Sequence, residues 1–120
     1  MKELKIKRVY TAAEDSDGYR ILIDRLWPRG LSKEKARIDE WAKAVAPSSD
    51  LRKWFGHQEE NYHEFAIRYR AELDSNPEAA HVAENIRELL QDDDVTLVYG
   101  AKNEKCNHAL VLRDWVMGKS

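Results

Sequence analysis

Leu4, Ile6 and Arg8 alternate with Lys5, Lys7 and Val9 ahead of Tyr10-Thr11. This period of two predicts a strand with one partly exposed face. The polar stretch TAAEDSDG closes in Asp17-Gly18, a pair suited to a tight turn. Tyr19 to Leu26 reads as a second strand, apolar on both faces at Ile21, Leu22 and Ile23, as in a central, covered strand. Paired antiparallel, the two strands would form a hairpin with a long loop. Paired parallel, they would need a longer crossover than the residues between them supply. Pro28 cannot donate to a ladder and holds Trp27 extended, so the strand is expected to end there. Trp27-Pro28-Arg29-Gly30 fits a type I turn with Pro second and Gly fourth.

Helical spacing takes over afterwards. Ser32 is a candidate N-cap, with Leu31 placed to staple onto Ala36. Ile38, Trp41, Ala42 and Val45 continue at helical intervals, although ARID reads equally well as a short extended piece. Pro47 closes this segment, and Ser48 and Ser49 offer caps for a short helix carrying Leu51, Trp54 and Phe55 on one face. Tyr62, Phe65, Ala66, Tyr69 and Leu73 form the stripe of a longer helix. The next helix opens with SNPE, giving an Asn cap, Pro at the first position and Glu in the first turn. Its stripe is Ala79, Val82, Ala83, Ile86 and Leu90. The run Asp92 to Asp94 opposes the dipole of a helix C-terminus and belongs to the following loop. Val95 to Tyr99 is a buried-type strand, and Asn107 can cap a last helix facing inward through His108, Val111, Leu112 and Trp115. The order is β-β-α-α-α-α-β-α, without repeats or linkers. It predicts one small α/β (or α+β) domain over residues 1–120, with a sheet of at least three strands covered by four to five helices.

The totals narrow the class. A chain of 120 residues, 42% hydrophobic and 35% charged, with four Trp and five Tyr, has the composition of a folded globular domain. No apolar run is long enough to span a bilayer, and the charged N-terminus lacks the apolar core of a signal peptide. One cysteine forms neither an internal disulfide nor a Cys-based zinc site, so a reducing, cytoplasmic setting with no membrane contact is expected. The net charge of −2 leaves nucleic acid open as a partner without favouring it. The charge is nonetheless uneven. Six Arg/Lys face two acids between Arg20 and Arg37, and eight acids face Arg87 alone between Glu72 and Asp94. This pattern describes either a dipolar molecule with one basic face or two solvated surfaces of opposite sign.

The segments GYRILIDRLWPRGLSKEKARIDEW, APSSDLRKWFGH, FAIRYRAEL and LVYGAKNEKCNHALVLRDW resemble the YeaO-like branch of the domain of unknown function 488 family. The likeness runs from Leu4 to Val116. It implies a compact bacterial or archaeal α/β domain whose activity is not established, and it names no cofactor and no oligomeric state. More distant branches of that family carry a Cys-His-Arg triplet before the last helix. The matching positions here are Asn107, His108 and Ala109, with Cys106 one place early, so no catalytic cysteine is carried over.

Three groups of residues could carry chemistry. Asp24, Arg25 and Arg29 gather at the end of the second strand, with Trp27 between them as a candidate ligand contact. Two guanidiniums at one strand end suit a carboxylate or phosphate, and equally suit helix carboxylates. The loop YGAKNEKCNH places Lys102 and Asn107 at the start of the last helix, where free N–H groups and the helix dipole favour an anion. His108 stands in the first turn as an acid/base candidate or as a packed residue. His57, after Gly56, either complements a helix C-terminus or reaches the arginine-rich turn. The four histidines show no metal-ligand spacing, so no metal is expected. The expectation is a cleft for a small phosphorylated or carboxylated ligand, with hydrolysis or group transfer through His108 or His57 as its chemistry. The alternative is a nucleic-acid or protein binding module using residues 20–37.

Overall fold

The computed structural model describes residues 2–118. Four strands, β1 (Leu4–Arg8), β2 (Tyr19–Leu22), β3 (Glu40–Trp41) and β4 (Val95–Tyr99), form one sheet in the order β1-β4-β2-β3. Every neighbouring pair is parallel. The five helices are α1 (Lys33–Ala36), α2 (Ser49–Phe55), α3 (Tyr62–Asp74), α4 (Pro77–Leu89) and α5 (His108–Val116). The fold is thus α/β, as expected, with more strands than the minimum read from the sequence.

Neither expected pairing of the first two strands occurs. β1 and β2 lie on opposite sides of β4, each parallel to it, with Leu4 and Tyr19 both level with Val95. The two strands are nonetheless parallel to one another, so residues 9–18 carry the chain back from the end of β1 to the start of β2, leaving a gap that β4 fills. β4 is buried at every position, which explains its unbroken apolar run.

Side chains alternate across the sheet. Ile21, Ile23, Val95 and Leu97 join the core built with Phe65, Tyr69, Ile86 and Leu112 from the helices. Leu22, Thr96 and Val98 are buried on the opposite face, where Thr96 Oγ1 donates to the Asp17 carbonyl at 2.7 Å.

Local signals placed the helix boundaries well. Ser32, Ser48, Asn76 and Asn107 each accept a backbone N–H as N-caps, and Pro77 opens α4. Three expectations need correction: the helix from Ser32 to Val45, the reach of the second strand, and the type I turn at Trp27 to Gly30. The helical spacing from Ser32 to Val45 resolves into one turn of helix, then β3, then a 3₁₀ turn at Lys43–Val45. Arg37 at φ 49° ends α1, and the extended reading prevails just beyond it because Glu40 and Trp41 pair with Ile21 and Leu22. The second strand stops at Leu22, well before Pro28; past Ile23 the Asp24 side chain rather than the backbone takes the Gly100 N–H. The turn that follows runs from Pro28 to Leu31, with Leu31 N donating to the Pro28 carbonyl at 3.4 Å. Gly30 takes its third position at φ 77°, where a type II turn requires a positive φ.

No helix among the described residues is long and apolar enough to cross a membrane.

Candidate functional site

β2 and β4 run parallel, so their C-terminal ends open at the same side of the sheet, the usual place for a ligand in an α/β fold. The last ladder bond between them is Ile23 N to the Val98 carbonyl at 3.1 Å. Asp24 then takes over from the backbone. Its Oδ2 accepts Gly100 N at 2.8 Å, and its carbonyl accepts Trp41 Nε1 at 2.7 Å. A β-carbon on Gly100 would stand 3.0 Å from the same Oδ2, so a small residue lets the carboxylate cap this strand end. His108 Nε2 lies 3.1 Å from Asp24 Oδ1 and 3.2 Å from the Ile23 carbonyl. Both neighbours of Nε2 are acceptor oxygens, so a proton on that nitrogen would be shared between them. Asp24 Oδ1 is buried and gains no well-aligned hydrogen bond of its own.

Above this pair lies a cleft of about 540 Å³. Asp24, Arg25 and Trp27 form one wall, Asn107 and His108 another, and Arg52, Lys53, Phe55 and His57 from α2 and the residues after it a third. Arg25 Nη2 donates to the Pro47 carbonyl at 3.0 Å, which ties the strand-two loop to the start of α2. Trp27 meets Trp41 edge to face at 5.5 Å and donates Nε1 to the Leu31 carbonyl at 2.7 Å. Asn107 is buried. Its Oδ1 accepts Leu110 N at 3.2 Å and its Nδ2 donates to the Asn103 carbonyl at 2.9 Å.

Tyr62 on α3 supports this wall by donating to the Asn107 carbonyl at 2.8 Å. Burial, reinforced by the nearby Cys106, pushes its hydroxyl up to about 12, so it remains a neutral donor near pH 7. Gly56 at φ 54° ends α2, and His57 follows in the same left-handed region at φ 58°, an unusual conformation for a residue with a side chain.

Six of the expected site residues are thus brought together: Asp24, Arg25, Trp27, His57, Asn107 and His108. Arg29 and Lys102 are exposed and do not line the cleft. Arg29 contributes its carbonyl to the Tyr10 hydroxyl at 3.0 Å. The two cations that take their place, Arg52 and Lys53, were missed. Their position beside the apolar pair Leu51 and Phe55 marks them as off the buried stripe, but nothing local says what that face meets. Asp24 is the sole acid lining the cleft among the described residues. No group of three or more His, Cys, Asp or Glu among those residues is arranged to hold a metal ion.

The basic stretch from residue 20 to 37 is less uniform than its composition. Arg20 is buried, with Nη1 2.6 Å from Asp17 Oδ2 and with Nε and Nη2 donating to the Ala36 carbonyl at 3.0 and 2.7 Å. Its charge is neutralised internally. Arg37 lies 3.2 Å from Asp15.

Comparison with known proteins gives a consistent family. The chain matches the family profile described as the inactive DUF488-N3 subclade over residues 3–120. It is 48% identical over 115 residues to the uncharacterized protein YeaO of Escherichia coli strain K12, covering 94% of this chain and 96% of that one. It is 40% identical over 116 residues to the uncharacterized protein Rv3073c of Mycobacterium tuberculosis, covering 97% and 95% respectively. An uncharacterized protein of Mycobacterium bovis, Mb3100c, matches to the same extent. No solved structure gives a significant match.

Proposed function

The chain belongs to the inactive DUF488-N3 subclade, and we propose that its cleft binds a small anionic molecule without turning it over. One observation carries this reading. Arg25, Arg52 and Lys53 line a cleft at the C-terminal ends of two parallel strands, all three exposed and none with an ion-pair partner among the described residues. Cations held this way, with a single carboxylate among them, favour a carboxylate or phosphate ligand.

Two features support binding over catalysis. The subclade's own description is inactive. Asn107, at the place where more distant branches carry a cysteine, has both ends of its amide engaged in capping α5 and holding the preceding loop. His108 is likewise held against Ile23 and Asp24.

The test is a thermal-shift screen of the intact chain against phosphate, nucleoside monophosphates, dicarboxylates and monocarboxylates, repeated on the double variant Arg52→Ala/Lys53→Ala. A ligand at a hundredfold its dissociation constant adds about 2.7 kcal/mol, on the order of 10 °C in Tm for a domain of this size. The expected result is such a rise with at least one anion and its loss in the double variant. A panel without any rise, or a rise that survives the double substitution, overturns the reading.

A further inference from the structure

Resting on that anion-binding reading, we infer that the ligand is an amphipathic anion: an apolar body, aromatic or aliphatic, carrying a single carboxylate or phosphate head and few hydroxyls.

The first argument is what the cleft leaves uncovered. Four large hydrophobic residues are exposed among the described residues, and two of them, Leu26 at 66% and Tyr10 at 46%, line this cleft. The buried rings of Phe55 and Phe65 line the same cleft. Trp54, by contrast, lies outside it with the Arg68 guanidinium 4.1 Å above its ring. Exposed apolar groups concentrated at one concavity mark where an apolar surface docks.

The second argument is independent and concerns hydrogen bonds. Most neutral polar side chains of the cleft already have partners within the protein. Trp27 Nε1 donates to Leu31, Tyr10 Oη to Arg29, and both ends of the Asn107 amide are engaged. Asp24 Oδ2 holds Gly100 N, and His108 Nε2 faces Ile23 and Asp24. Among the described residues of the lining, Ser49, His57 and Cys106 keep a neutral polar side chain without such a partner. A sugar or polyol entering here would lose water from each hydroxyl and regain few hydrogen bonds, which selects against it. The charged head is met instead by Arg52 and Lys53 at the rim, where an anion keeps part of its hydration.

The experiment measures dissociation constants by calorimetry on the full chain. The probes are 4-phenylbutyrate and hexanoate, glucose 6-phosphate and AMP, and benzyl alcohol as an uncharged control. The expected result is at least tenfold tighter binding of the two apolar-bodied carboxylates than of the hydroxylated phosphates, with a negative heat-capacity change. Leu26→Ser should weaken phenylbutyrate severalfold without affecting any phosphate binding. Since Leu26 is exposed, this variant is expected to fold. Equal or tighter binding of glucose 6-phosphate or AMP overturns the inference and leaves the anion-binding reading intact. An unchanged ratio in Leu26→Ser overturns it as well. Failure of every anion to bind, or equal binding of benzyl alcohol, overturns both.

Discussion

Arg20 and Arg25 stand five positions apart on one chain segment and meet opposite fates. Arg20, at the N-terminal end of the sheet, is buried with all its side-chain bonds directed at Asp17 and the Ala36 carbonyl. Lys7 joins the same carboxylate at 2.8 Å, and Thr96 donates to the Asp17 carbonyl. Arg25, at the other end, is exposed, makes one hydrogen bond to Pro47 and borders an open cleft. One end of the sheet is a closed polar network and the other an open one. The difference teaches that a charged residue next to a strand is structural when its partners enclose it, and available when the fold leaves its donors facing solvent.

Substitution separates the two ends most sharply. Arg20→Met leaves a buried carboxylate with Lys7 and the Glu14 N–H as its remaining partners and should cost about 3 kcal/mol, the low end for breaking a buried pair. Arg25→Met should cost under about 1 kcal/mol. Urea unfolding of both variants measures the gap, and equal losses would erase the distinction.

The two glycines at these ends give the next largest contrast. Gly18 has φ 67°, and a β-carbon there would stand 2.0 Å from the Asp94 carbonyl oxygen. Gly18→Ala is therefore expected to lose about 2–3 kcal/mol. Gly100→Ala meets only the tip of the Asp24 side chain at 3.0 Å and should lose about 1 kcal/mol as that carboxylate shifts. Thermal denaturation of the pair checks the order.

The closed end contributes to the acid limb of the stability profile. Burial drives the Asp17 carboxyl up, but its bonds to Lys7, Glu14 N–H and Arg20 outweigh it and leave the group below its ordinary 3.8. A depressed carboxyl contributes stability in full above that ordinary value and loses it as pH falls through the lower folded one. Lys7 has the opposite sign. Burial lowers it, its bonds to Asp17 and Glu14 outweigh that effect, and it ends above 10.5. Its contribution is whole below 10.5 and is lost as pH rises through the raised value. Urea midpoints between about pH 5 and 2 should therefore fall in the native chain and fall less steeply in Arg20→Met.

The smallest effect belongs to the open end. His57→Gly removes a left-handed residue with a side chain and should raise stability by about 0.5–1 kcal/mol. A loss in the same denaturation assay would show that the imidazole makes a compensating contact.

These contrasts also show which parts of the molecule were legible from the chain. The caps Ser48, Asn76 and Asn107 and the stripes of α3 and α4 were read correctly because each signal lies within a few residues of its effect. Sheet order was not, since the position of β4 between β1 and β2 depends on pairing between distant segments. The candidate site divided along the same line. Asp24, Trp27 and His108, named as candidates from the local signatures of a strand end and a helix start, fall on the cleft. Arg52 and Lys53 were missed because only the packing of α2 against the strand-two loop turns them toward the cleft. Arg20, counted from the sequence only as part of the basic stretch from 20 to 37, is enclosed by Asp17 and the Ala36 carbonyl, partners its local sequence does not announce.

The strand order has a consequence for how the chain is made. β4, the one strand bonded to both β1 and β2, follows them and all of α1 to α4 in the sequence. A ribosome has released the first two strands and most helices before the segment that joins them is translated. Until Val95–Tyr99 emerges, the nascent chain has helices to stack and no central rung to lay them on. Non-local pairing of this kind slows folding, and a chain halted before Val95 would carry an orphan β1 and a β2 paired only with the two residues of β3.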